Sequence, residues 1–146
     1  MSETGTYGGD VSAADAWREL QAAADATLID VRTAAEWAFV GVPALAGIGK
    51  EPLFVAWNEF PSGAQVPDFA GRLKAVLSEH RVGHDAPLYF LCRSGARSRS
   101  AAIVATAAGY RHAYNIEQGF EGTLDADRHR ATPGSWKAEG LPWVQS

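Results

Sequence analysis

The chain has 146 residues, of which 47% are hydrophobic and 21% charged, and its formal net charge is −4. This length and balance fit one globular domain, and the acidic charge argues against nucleic acid or a membrane surface as a partner. A single cysteine excludes an internal disulfide and a Cys-x-x-Cys redox pair. Because no basic region followed by an apolar run begins the sequence, we expect a cytoplasmic protein.

The first segment is polar and glycine-rich, which predicts a flexible tail over residues 1–8 and one domain over residues 9–146. Ser12 and Asp15 have the spacing of a helix capping box, so a helix is predicted from there to about Ala24.

A buried strand is predicted over residues 27–31, and Asp30 and Arg32 lie at its carboxyl end. Ligands bind at that end of the strands in open parallel sheets. From the residue types alone, we favour Asp30 as the cap of a helical turn that begins near Thr33. Arg32 is then expected to pair with a carboxylate rather than to act directly in catalysis.

The middle of the chain is less regular. A strand is predicted over residues 53–57, followed by a long loop over residues 58–67 that contains two prolines and a glycine. Trp57 and Phe60 either line the mouth of a pocket or pack in the core. The helical spacing of Phe69, Leu73 and Leu77 predicts a helix that packs on the sheet.

Cys92 follows a buried strand, residues 88–91, and precedes a tight turn and an alanine-rich helix predicted over residues 97–108. Loop amides at the start of a helix can form an anion-binding nest. Arg93, Arg97 and Arg99 add positive charge beside the thiol. This environment favours the thiolate form, so Cys92 is the candidate nucleophile rather than an inert buried thiol.

The remaining elements complete an alternating pattern. A strand is predicted over residues 113–116, followed by a turn over residues 118–122, and Trp136 and Trp143 are expected to hold the end of the chain on the domain. Strands that alternate with helices predict an α/β fold with a parallel sheet and right-handed crossovers.

Three blocks of the sequence resemble the rhodanese-like sulfurtransferase domains. They are the loop over residues 92–98 (Cys-Arg-Ser-Gly-Ala-Arg-Ser), residues 28–32 (Leu-Ile-Asp-Val-Arg) followed by Glu36 and Trp37, and residues 115–120 (Asn-Ile-Glu-Gln-Gly-Phe). The resemblance implies a three-layer α/β fold, with a central parallel sheet of about five strands and helices on both faces. It also implies that Asp30 and Arg32 support the active site from behind the loop.

By the same resemblance, Cys92 is the catalytic residue and the rest of the loop binds the substrate: Arg93, Ser94, Gly95, Ala96, Arg97 and Ser98. Ser94 and Ser98 are hydroxyl donors or helix caps, and for Ser98 we favour a cap. Arg99 either contacts the substrate or faces solvent. The four histidines show no ligand spacing, so neither a metal nor a cofactor is predicted.

The length of the loop separates two reactions. Phosphatases of related fold place an arginine six residues after the cysteine, whereas here Ser98 holds that position and Arg97 comes one residue earlier. The shorter loop favours transfer of sulfur from a small anionic donor such as thiosulfate to cyanide or a thiol, including a protein thiol. A non-catalytic binding module and, less favoured, a phosphatase or arsenate-reductase-like enzyme are the alternatives.

Overall fold

The computed structural model describes residues 5–123, 126–127, 129–130 and 132–145, so residues 1–4 of the predicted tail lie outside the described residues. Where the tail is described, the Tyr7 hydroxyl donates to Asp10 and the Gly8 N–H donates to the Ala113 carbonyl. Twelve elements follow in chain order within the described ranges: β1 (Gly9–Val11), α1 (Ala13–Ala22), β2 (Thr27–Asp30), α2 (Ala34–Val40), β3 (Val42–Pro43), a 3₁₀ turn (Ala46–Ile48), β4 (Leu53–Phe54), α3 (Phe69–Glu79), β5 (Pro87–Leu91), α4 (Ala96–Ala107), β6 (His112–Ile116) and β7 (Trp143–Val144).

Five strands form one parallel sheet in the order β1-β6-β5-β2-β4. The predicted α/β class and the parallel sheet of about five strands are therefore confirmed. A second, small sheet was not predicted: β3 and β7 pair antiparallel over two residues each. Asp30 at the end of β2 lies opposite Leu91 at the end of β5, so the segments that follow both strands emerge side by side.

Alternation along the strands builds two hydrophobic layers, because successive side chains point to opposite faces of a sheet. Leu88 and Phe90 face α3 and α4, whereas Tyr89 and Leu91 face α1. Cys92 continues the first series and lies in the layer beneath α3 and α4. Helices therefore cover both faces of the sheet, and the predicted packing of Phe69, Leu73 and Leu77 is confirmed, as is the buried position of Trp136.

Most predicted boundaries lie within two residues of those observed, and one strand is shorter than predicted. Helix α1 ends at Ala22, two residues early, and the fourth strand covers Leu53–Phe54 rather than residues 53–57. Beyond Phe54 the backbone still bonds to the end of β2, with Val55 N–H donating to Asp30 and Trp57 N–H donating to Val31, but without a regular ladder. The loop over residues 58–67 then folds back on itself.

Candidate active site

The loop after β5 turns sharply at Gly95, which is the N-cap of α4 and has φ = 108°. A side chain at this position would be strained by that backbone conformation. It would also run into the carbonyl oxygen of Glu117, which follows β6. The glycine therefore lets the loop close against β6 and start α4 directly above the end of β5.

Cys92 is only 1% exposed at the base of this loop. Its Sγ accepts a hydrogen bond from the Gly95 N–H at 3.1 Å and lies 3.2 Å from the Ser98 hydroxyl oxygen. The sulfur is thus enclosed by the loop, with a backbone donor from the N-terminal end of α4 beside it. Ser94 is half-buried in the loop, and Ala96 is the exposed first residue of the helix.

The prediction that Ser98 caps the helix was wrong, because Gly95 holds that position and Ser98 lies inside α4. The fully buried Ser98 hydroxyl instead donates to Asn115 Oδ1 at 2.5 Å. Asn115 Nδ2 in turn donates to Asp10 at 3.0 Å. Sequence reasoning missed the role of Asn115, although an asparagine inside a predicted buried strand was a signal, since asparagine is depleted in strands.

Arg97 forms a bidentate ion pair with Glu36, at 2.7 and 3.0 Å, and also donates to Asn58 at 3.2 Å. Burial opposes ionisation of the Glu36 carboxyl. The hydrogen bonds from Arg97 and from the Thr33 backbone outweigh that effect and lower the pKa of Glu36 to about 2. Burial likewise acts against the charge of Arg97, but the bonds to Glu36 raise its pKa above the ordinary value. The pair is charged throughout the working pH range.

Arg93 forms an ion pair with Glu121 at 3.3 Å. Both arginines that the sequence analysis assigned to donor binding therefore have a carboxylate partner from a distant part of the chain. Arg99, two residues further along α4 than Arg97, is exposed and donates from Nε to the Tyr7 hydroxyl at 3.1 Å.

Asp30 and Arg32 form a fully buried bidentate pair behind the loop. Arg32 also donates to the Gly41 carbonyl at 2.7 Å and stacks 4.3 Å from the centre of the Phe120 ring. The predicted pairing of Arg32 with a carboxylate is confirmed. The predicted cap role of Asp30 was wrong: Thr33 caps α2 through a capping box with Glu36, which leaves Asp30 to hold Arg32.

A cavity of about 460 Å³ opens beside the loop. Arg93, Arg97 and three glutamates line it, so its formal charge is −1. Phe39 and Phe60 also line this cavity and are 78% and 70% exposed. Phe60 thus lies at the pocket mouth, whereas Trp57 packs against Phe69 in the core. A larger cavity of about 700 Å³ lies at the opposite ends of the strands and contains none of the loop residues.

A family model described as the STR4 middle domain matches residues 8–146. The chain belongs to the STR4 middle domain family. One curated relative of this chain, an uncharacterized protein of Rickettsia rickettsii, is 37% identical over 121 residues. The match covers 82% of this chain and 83% of the relative. The rhodanese-like domain-containing protein 4, chloroplastic, of Arabidopsis thaliana is 28% identical over 134 residues, which are 92% of this chain and 25% of that protein.

Two solved structures resemble this STR4 middle domain protein. The crystal structure of Rv0390 from M. tuberculosis has a TM-score of 0.87 at 44% identity and covers 97% of this chain and 100% of its own. The polysulfide-sulfur transferase homodimer from Wolinella succinogenes has a TM-score of 0.58 at 25% identity. The match covers 94% of this chain and 78% of that chain. The predicted rhodanese-like fold is therefore confirmed.

The part of the chain that the structure describes has neither a membrane span nor a cluster of metal-binding side chains. None of its helices is both long and apolar enough to cross a membrane. No group of three histidine, cysteine or acidic side chains among the same residues is arranged to hold a metal ion.

Proposed function

We propose that this protein is a sulfurtransferase that carries a sulfane sulfur as a persulfide on Cys92. In the first step the Cys92 thiolate attacks the outer sulfur of a donor such as thiosulfate. A new S–S bond forms, the donor's S–S bond breaks, and sulfite leaves with the electron pair. In the second step cyanide or a thiolate attacks the terminal sulfur, which restores the Cys92 thiolate and yields thiocyanate or a new persulfide.

The observation that carries this proposal is the hydrogen bond that the Gly95 N–H, at the start of α4, donates to the Cys92 sulfur at 3.1 Å. A donor in that place stabilises the negative charge of the Cys92 thiolate, which attacks the donor and is restored when the acceptor removes the sulfur. The similarity to a protein described as a polysulfide-sulfur transferase and to a rhodanese-like domain protein supports the same chemistry.

The position of Arg97 argues against the phosphatase alternative. A phosphatase needs an arginine free to grip the phosphate with two hydrogen bonds. Here the two arms of the guanidinium are bonded to the Glu36 carboxylate.

Mass spectrometry tests the proposal. The protein is incubated with thiosulfate, desalted, and its intact mass compared with that of the Cys92→Ser variant. We expect a gain of one sulfur atom in the native protein and none in the variant, and we expect cyanide to remove that sulfur and release thiocyanate. Hydrolysis of p-nitrophenyl phosphate without any sulfur gain would support a phosphatase instead. Absence of both signals, with thiosulfate and with an organic persulfide as donor, would leave a binding module.

A further inference from the structure

Two arginines of the cysteine loop, Arg93 and Arg97, line the cavity of about 460 Å³. The larger cavity at the opposite ends of the strands contains no residue of that loop. A volume of this size is typical of sites for small organic molecules. A molecule that approaches the loop through the smaller cavity therefore has room there for much more than a single reacting sulfur atom.

The walls of this cavity are anchored to the cysteine loop itself. Arg97 donates to Glu36 of α2 and to Asn58 in the loop that follows β4. That second loop is closed by a backbone hydrogen bond of 2.9 Å from the Glu59 N–H to the Ala64 carbonyl. The cavity is thus built into the folded chain and needs no rearrangement to receive a ligand.

Aromatic rings stand on both of the segments that form these walls. Phe39 comes from α2 and Phe60 from the loop after β4, and both side chains are largely exposed. Covering such rings with an apolar molecule removes apolar surface from water, which favours binding. The rings therefore suit a ligand with an apolar body.

The charges of the lining disfavour an anionic ligand. Arg97 is paired with Glu36 and Arg93 with Glu121, so neither guanidinium offers an uncompensated positive charge. Glu59 also lines the cavity, is exposed, and takes part in no ion pair among the residues that the structure describes. The lining thus repels a carboxylate and accepts an uncharged or cationic group.

We propose that Phe39, Phe60 and Glu59 select the sulfur acceptor, and that this acceptor is a small thiol with an apolar body and no carboxylate. This inference rests on the proposed function. The thiolate of the acceptor forms an S–S bond with the terminal sulfur of the Cys92 persulfide. The bond between that sulfur and Cys92 Sγ breaks, and Cys92 keeps the electron pair as a thiolate.

Two thiols with the same aromatic body test the proposal. Phenylmethanethiol has an uncharged ring, and 4-(sulfanylmethyl)benzoate adds one carboxylate to it. Each is titrated without oxygen into the native protein before any sulfur is loaded, and backbone amide NMR shifts report binding. We expect the uncharged thiol to bind about three- to tenfold more tightly, and the difference to diminish as salt is added.

Discharge of the persulfide is the second readout. Protein loaded with sulfur on Cys92 is mixed with either aromatic thiol or with 2-mercaptoethanol. Each rate is divided by the rate of the same thiol with a small soluble persulfide, which removes differences in intrinsic reactivity. In Phe60→Ser we expect the rate of phenylmethanethiol relative to 2-mercaptoethanol to fall about three- to tenfold.

Variants of charge and matched controls complete the test. Glu59→Gln should narrow the preference for the uncharged aromatic thiol by about twofold, because the lining loses its excess negative charge. Val144→Ser and Glu79→Gln change an exposed apolar and an exposed acidic side chain outside the cavity, and both rate ratios should stay as in the native protein.

Equal binding of the two aromatic thiols would overturn the proposal, as would equal rate ratios in Phe60→Ser and Val144→Ser. A failure to load Cys92 with sulfur would instead count against the proposed function. The NMR titration needs no sulfur transfer, so it decides which thiols the cavity selects in either case.

Discussion

Glu36 holds the guanidinium of Arg97 with both carboxylate oxygens, across 61 positions of the sequence. The same Glu36 closes the capping box of α2 with Thr33. One side chain therefore fixes the start of a helix, the arginine of the loop and one wall of the cavity beside it.

Acid should weaken the protein through Glu36. Its pKa is about 2 in the folded state and 4.5 in a model peptide, so its stabilising effect is fully present above about pH 5 and is lost as the pH falls toward 2. We expect the stability difference between native protein and Glu36→Gln, measured by urea unfolding, to shrink over that range. Glu19→Gln, an exposed change on α1, serves as the control. A difference that stays constant from pH 6 to pH 2 would contradict the argument.

If the proposed function is correct, releasing Arg93 should speed persulfide formation from thiosulfate. In Glu121→Gln the arginine loses its ion-pair partner and the lining of the cavity loses one negative charge, so a dianion is attracted more strongly. We expect the second-order rate of persulfide formation to rise about three- to tenfold at low salt, and the gain to diminish as salt is added. Glu79→Gln, at the far end of α3, should leave the rate unchanged. A rate equal to that of the native protein at every salt concentration would show that Arg93 takes no part in capture of the donor.

Gly95→Ala should damage both stability and the loop. The added methyl group must accept a positive φ and meets the Glu117 carbonyl oxygen, so we expect a loss of about 2–4 kcal/mol and little persulfide formation. Gly47→Ala adds the same methyl group where nothing lies within contact distance and should cost less than about 0.5 kcal/mol. Thermal unfolding and the sulfur-gain assay measure the two effects. Wild-type stability in Gly95→Ala would mean that the loop is not held as described.

Lys50 is expected to be important for stability although it lies far from the sulfur. Its ammonium group donates to the carbonyls of Leu20, Ala23 and Ala26, each at 2.7 Å, and so satisfies the end of α1 and the turn before β2. Lys50→Met should cost roughly 2 kcal/mol, because three partly buried acceptors lose a charged donor. Lys74→Met on the exposed face of α3 is the matched change. Equal urea midpoints for the two variants would refute the assignment.

Local patterns in the sequence were enough for the fold and for the cysteine loop. The apolar run of residues 88–91 predicted the buried strand β5, and the small residues after Cys92 predicted the turn into α4. The carboxylate partners of Arg93 and Arg97 could not be predicted in this way. Each partner comes from another part of the chain, and only the tertiary packing determines which glutamate lies beside each arginine. The two-residue sheet of β3 and β7 escaped prediction because so short a strand leaves no periodic pattern.

The small β3–β7 sheet has a practical consequence for experiments. It carries Gln145 to the carbonyl of Phe39, at 2.8 Å, beside the exposed aromatic ring that lines the cavity. A fluorophore attached at Gln145 would therefore sit at the rim of that cavity and report on what enters it. A bulky affinity tag fused at Gln145 would block access of small molecules to the same cavity, so a purification tag should be placed elsewhere on the surface.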